Sequence, residues 1–130
     1  ALAYTTSFIL FLMFPAEGPW VILKELHHVK PEGGLFIKLN QFTQSQGSIR
    51  GGCFPSSHVG AAFVMAWATL RYQRRLGWVI LLFSIGVALA TVYCQYHHAV
   101  DSIAGALWGT ISFLVGSWIL RKWYANKVAA

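Results

Sequence analysis

Gly77-Trp78-Val79-Ile80-Leu81-Leu82-Phe83-Ser84-Ile85-Gly86-Val87-Ala88-Leu89-Ala90-Thr91-Val92-Tyr93-Cys94-Gln95-Tyr96-His97 carries no acidic side chain, lysine or arginine. As a helix rising about 1.5 Å per residue, this run matches the roughly 30 Å hydrocarbon core of a bilayer. It reads as a membrane span, and its neighbours repeat the pattern. Residues 56–72 and 99–120 are two further apolar runs. Residues 1–14 form a shorter one that stops at Phe14-Pro15. At roughly 21 Å that first run is too short to cross, so it is expected to be a span whose beginning is missing. The fold class expected is an all-α polytopic transmembrane bundle, N-terminally incomplete, with residues 1–130 forming one domain.

Composition agrees. The 130 residues are 56% hydrophobic and 11% charged, with a mean hydropathy of +0.53. A soluble domain averages about 25% charged residues. A chain this apolar could not cover a water-exposed surface, so lipid is the expected solvent. The net charge of +6 does not indicate nucleic acid, because the basic residues flank apolar runs or are scattered. That pattern fits topology signals and anionic lipid better. Residues 1–14 lack the basic start and small-residue cleavage site of a signal peptide.

Residues 15–55 hold three of the four acids, Glu17, Glu25 and Glu32. Within them Leu35, Phe36, Leu39 and Phe42 recur at helical spacing, which predicts a short helix lying in the membrane interface. The segment is expected to be a folded active-site loop. Six of the ten basic residues cluster in the Arg71–Arg75 turn and the C-terminal tail. The positive-inside rule assigns those to the cytoplasm, and so assigns the 15–55 loop and the 97–101 break to the non-cytoplasmic face.

After residue 33 the only acid is Asp101, and the only histidines are His58, His97 and His98. Ionisable groups near a bilayer are costly and read first as functional. In the predicted topology His58 opens one span, His97 ends the next and Asp101 opens the third, all at one membrane level. Two helix N-termini meet there, which favours an anion such as phosphate. A neutral imidazole can attack phosphorus, a carboxylate on its other nitrogen can fix its tautomer, and a second histidine can protonate the leaving oxygen. The plainer reading is an Asp that caps a helix beside interfacial histidines. Cys53 and Cys94 also precede the two histidine motifs; they read as small packing residues or as a disulfide. Gly105 and Gly109 read as a close helix-packing site rather than a dimer face.

Pro55-Ser56-Ser57-His58 and Val92-Tyr93-Cys94-Gln95-Tyr96-His97-His98-Ala99-Val100-Asp101-Ser102-Ile103-Ala104-Gly105 resemble the Pro-Ser-Gly-His and His-x-x-x-Asp motifs of the type 2 phosphatidic acid phosphatase superfamily. The superfamily includes lipid phosphate phosphatases and vanadium haloperoxidases. The resemblance implies His97 as nucleophile, Asp101 as its orienting partner and His58 as general acid. It also implies that Ser56, Ser57 and nearby backbone N–H groups bind phosphate oxygens. The family's Ser-Arg pair is replaced by Ala90 and Thr91, and its Lys-x6-Arg-Pro motif has only a weak counterpart in Lys24 and Lys30-Pro31. The expected substitute clamp is Arg50 first, with Lys24, Lys30 and Gln95 as the alternatives. Phe14-Pro15-Ala16-Glu17-Gly18-Pro19-Trp20 resembles an element of the inositol phosphorylceramide synthase-like branch, which also lacks that Arg.

The expected function is metal-independent hydrolysis or transfer of a phosphate ester from a lipid phosphate or phospholipid, through a phosphohistidine. No cofactor is expected. The acceptor is water or an alcohol such as inositol, the latter making a synthase-like transferase. Readings from another class are a non-catalytic lipid-binding protein and a haem protein ligated by His58 and His97.

Overall fold

The computed structural model describes residues 2–19, 21, 34–47 and 51–129. Among these described residues five helices are delimited: α1 (Leu2–Met13), α2 (Leu35–Gly47), α3 (Ser57–Tyr72), α4 (Arg74–Tyr93) and α5 (Ala99–Ala129). No strand occurs among the described residues; one isolated bridge pairs Ala16 with Gly52. The all-α expectation therefore holds, and two helices, α4 and α5, are long and apolar enough to cross a membrane. In the most apolar stretch of each, only 11% of residues are buried inside the protein. Trp78, Leu82, Phe83, Leu89, Leu107 and Leu114 all face outward. A soluble core helix would bury such residues, so this outward apolar surface suits lipid.

Helix α3 is the hub, packed against α1, α4 and α5. Polar side chains, among other contacts, tie the helices together. Trp67 Nε1 donates to Thr110 Oγ1 at 2.9 Å, joining α3 to α5. Ser84 Oγ donates to the Ala62 carbonyl at 3.0 Å, joining α4 to α3. Trp108 Nε1 donates to Thr6 Oγ1 at 3.0 Å, joining α1 to α5. Each removes a polar hydrogen from an apolar setting, where an unpaired donor is expensive.

The closest approach is backbone on backbone. A Cβ on Gly105 would strike the Ser56 carbonyl oxygen, and one on Gly109 would strike that of Gly60. The two glycines therefore let α3 lie directly on α5, the intramolecular packing role expected of them. A hydrogen bond from Ser56 N–H to the Asp101 carbonyl, 3.0 Å, closes the same junction at its upper end.

Four element boundaries differ from expectation. Helix α3 starts at Ser57 rather than at residue 56, because Ser56 is its N-cap, with Oγ accepting the Val59 N–H at 3.4 Å. Helix α4 starts three residues early, at Arg74, after a one-residue break at Gln73. It ends at Tyr93, so His97 sits in a five-residue connection rather than at a helix end. Gln95 there has φ +62°, a left-handed conformation that stops the helix. Helix α5 runs to Ala129, well past residue 120. After Gly116 its sequence holds neither Gly nor Pro, and the basic residues ride on the helix. Near its end Lys122 and Lys127 lie over the rings of Trp118 and Trp123, at 4.3 and 4.8 Å.

The predicted helix around Leu35, Phe36, Leu39 and Phe42 is α2, and all four side chains are exposed.

Candidate active site

The site is assembled from three pieces of chain. The first is the extended segment before α3. The Cys53 N–H donates to the Ala16 carbonyl at 3.1 Å, which fastens the segment to the chain leaving α1. The Phe-Pro-Ala stretch after α1 thus has a structural task here. The second piece is the first turn of α3, carrying Ser57 and His58. The third is the connection between α4 and α5. It is held from below by the Tyr96 and His97 N–H groups on the Thr91 carbonyl, at 3.0 and 3.1 Å. It is held from the side by α2, where Asn40 and Gln44 donate to the Cys94 carbonyl at 3.4 and 2.8 Å.

These pieces bring His58, His97 and Asp101 to one end of the bundle. The rings of His58 and His97 are 6.3 Å apart between centroids and tilted by 56°. His97 and Asp101 are buried, whereas His58 is exposed. The two imidazoles are thus near neighbours across a gap. First-turn N–H groups of α3, which have no acceptor within their own helix, lie beside it.

The expected hydrogen bond between His97 and Asp101 is absent. His97 Nδ1 is 3.9 Å from Asp101 Oδ2, within ion-pair range but too far for a hydrogen bond. The nearest acceptor is the Cys53 carbonyl oxygen, 2.9 Å from Nδ1. A carbonyl only accepts, so Nδ1 carries the proton and Nε2 keeps the lone pair. The carboxylate is engaged elsewhere. Asp101 Oδ2 accepts the His98 N–H at 2.8 Å and the Cys53 S–H at 3.0 Å, and lies 3.3 Å from His98 Nδ1. An acid in the first helical turn that reaches back to the N–H just before the helix is half of a capping box. The plain reading of Asp101 as a helix cap is thus correct in part. Its charge nonetheless stands close to the His97 ring.

Burial pushes the His97 imidazole below its ordinary value. That effect outweighs the Cys53 carbonyl and Asp101, which favour the charged form. His97 is therefore neutral near pH 7, as a nucleophile must be. Burial, reinforced by hydrogen bonding to Asp101, pushes the Cys53 thiol up to about 12, so the sulfur keeps its proton.

Cys53 is the site residue that sequence reasoning missed. Both thiols are free, which overturns the disulfide option. Its proximity to Pro55-Ser56-Ser57-His58 was the only available signal. Ser56 is buried and spends its oxygen on the helix cap, while Ser57 is partly exposed. Thr91, at the position of the family's Arg, lies with its hydroxyl 3.2 Å from Ser102 Oγ and so ties α4 to α5. Arg50, Lys24 and Lys30 lie outside the described residues.

The chain matches the profile of the PAP2 superfamily over residues 1–115. It belongs to that superfamily. It is 31% identical over 109 residues to a PA-phosphatase related-family protein of Dictyostelium discoideum, covering 77% of this chain and 19% of that one. It is also 29% identical over 69 residues to the bacitracin transport permease protein BcrC of Bacillus licheniformis, covering 53% of this chain and 34% of that one. The chain thus spans a fifth to a third of the length of these relatives. No solved structure matches.

Proposed function

We propose that this PAP2 chain forms the catalytic part of a multi-pass membrane enzyme that cleaves a lipid phosphate ester. His97 Nε2 attacks phosphorus in line. His58 protonates the departing lipid oxygen. Water then attacks the phosphohistidine and releases phosphate. The observation that carries this reading is the His97 hydrogen bond to the Cys53 carbonyl. It fixes the tautomer with Nε2 unprotonated in a ring that burial keeps neutral. As Nε2 bonds to phosphorus the ring becomes cationic, and the Asp101 carboxylate 3.9 Å away stabilises that charge. Charge on the equatorial oxygens is met by the first turn of α3, with Ser57 and a basic group from Arg50, Lys24 or Lys30. Ser56 holds the site together instead: its hydroxyl caps α3 and its N–H is spent on the Asp101 carbonyl.

Six basic residues lie at the opposite end of the bundle, in the Arg71–Arg75 turn and the α5 tail. This charge distribution supports a non-cytoplasmic site. The name of one relative, a PA-phosphatase related-family protein, favours a phosphatase, with water as acceptor. Among the described residues the acids form no carboxylate cluster suited to Mg²⁺, and activity is expected to survive chelation.

The deciding experiment incubates full-length protein in lipid nanodiscs with a panel of lipid phosphates, with and without inositol, in chelator. Free phosphate is the expected product. A new phosphoinositol lipid would redirect the assignment to a transferase. Failure to turn over any lipid phosphate, with the fold intact, would refute the catalytic reading.

A further inference from the structure

Behind the histidine that faces the substrate lies a cluster that the reaction does not require as a set. Cys53 Sγ, His97 Nδ1 and Asp101 Oδ2 are all buried and all lie within 4.8 Å of one another. Their separations are 3.3 Å from sulfur to nitrogen, 3.0 Å from sulfur to carboxylate oxygen and 3.9 Å from nitrogen to oxygen. A point close to the centre of that triangle is about 2.0 Å from every corner. That matches the roughly 2.0–2.3 Å bonds that Zn²⁺ makes to nitrogen, oxygen and sulfur.

We infer that this triangle is an inhibitory site for a thiophilic divalent cation, with Zn²⁺ the best fit. The donor set is one thiol, one imidazole and one carboxylate. Hard cations such as Mg²⁺ prefer several oxygens, whereas zinc favours this mixture. A thiolate and a carboxylate together neutralise a dication, so the loaded site buries no net charge. His98 offers the way in. Its side chain is 43% exposed, and its Nδ1 lies 3.3 Å from the same Oδ2.

The protons balance as follows. The cation displaces the thiol hydrogen, which leaves to solvent, and a metal–sulfur bond forms. The Nδ1 proton is exchanged through solvent onto Nε2, while Nδ1 bonds the metal. One proton is released per ion, and nothing is oxidised or reduced. The consequence falls on catalysis. The only nitrogen able to attack phosphorus now carries a proton, so the nucleophile is silenced from behind without occupation of the phosphate gap. This consequence rests on the proposed role of His97, but binding itself does not.

The test uses full-length protein in nanodiscs with Zn²⁺ for inhibition and Co²⁺ as spectroscopic probe. Co²⁺ is expected to give a thiolate-to-cobalt charge-transfer band in wild type and in Cys94→Ser, and none in Cys53→Ser. Zn²⁺ is expected to lower turnover reversibly. Cys53→Ser, measured against its own metal-free rate, should need at least about tenfold more Zn²⁺ for half inhibition. No band in wild type, or a band that survives Cys53→Ser and vanishes in Cys94→Ser, overturns the site. A Cys53-dependent band with turnover untouched overturns the inhibitory consequence. A preparation inactive before any metal is added contradicts the catalytic reading instead, and the cobalt spectrum still decides the site.

Discussion

Asp101→Asn separates the two tasks that meet on one carboxylate. As a cap, Asp101 accepts the His98 N–H at 2.8 Å, and an amide oxygen can do the same. If capping were all, the substitution would change stability by a few tenths of a kcal/mol, since Asn and Asp are near-equal at helix starts. As a countercharge, Asp101 stands 3.9 Å from the ring that becomes cationic on attack. Coulomb's law at that separation gives about 4 kcal/mol for an effective dielectric of 20, and about 2 kcal/mol for 40. Each 1.4 kcal/mol is tenfold, so the adduct should form roughly 30- to 1,000-fold more slowly. The assay is the first-turnover burst of nitrophenolate from nitrophenyl phosphate, with thermal unfolding recorded in parallel. A variant that unfolds like wild type and keeps more than about a tenth of the burst rate would refute the countercharge and leave only the cap.

Other outcomes follow from the same geometry. His97→Ala should abolish turnover of every substrate. His58→Ala should lose about 10²–10⁴-fold on a lipid phosphate but far less in the nitrophenolate burst, because that leaving group needs no proton; equal losses would remove His58 as the acid. Since burial lowers the His97 value, the neutral ring persists below its ordinary 6.5, and the rate should fall only as pH drops through that lowered value. An acid limb of kcat/KM centred above 6.5 would contradict a neutral buried nucleophile. Gly109→Ala puts a methyl against the Gly60 carbonyl, and should cost about 1–3 kcal/mol of stability and disturb the site. A variant with unchanged melting and activity would show the contact to be loose.

Helices were the legible part of the sequence. Long uncharged runs have few alternatives in a chain this apolar, so the bodies of α3, α4 and α5 could be located directly. Their ends could not. The stop at Tyr93 depends on a left-handed Gln95, and Gln is not a residue that announces one. The site was legible in its ionisable members, because a lone carboxylate and three histidines stand out against an uncharged background. The partners of those groups were not. The acceptor on His97 is a main-chain carbonyl, and every residue has one. The thiol on Asp101 comes from a cysteine 48 positions away in the chain, where spacing carries no signal. Likewise, Thr91 in place of the family's Arg was visible, but its hydroxyl's contact with Ser102 depends on how α4 leans on α5.

The glycine contact between α3 and α5 has a mechanical meaning. Ser56 and Gly60 touch Gly105 and Gly109 through main-chain atoms, and the Ser56 N–H reaches the Asp101 carbonyl across the same junction. The offset between the two histidine-bearing motifs is therefore ruled by backbone thickness, for as long as Gly105 and Gly109 carry no side chain. The outward side chains of α4 and α5 are free to change with the host bilayer. A thicker or thinner membrane would then tilt α3 and α5 together as one rigid strut. The gap between His58 and His97 would travel with that strut, its width insulated from the lipid around it.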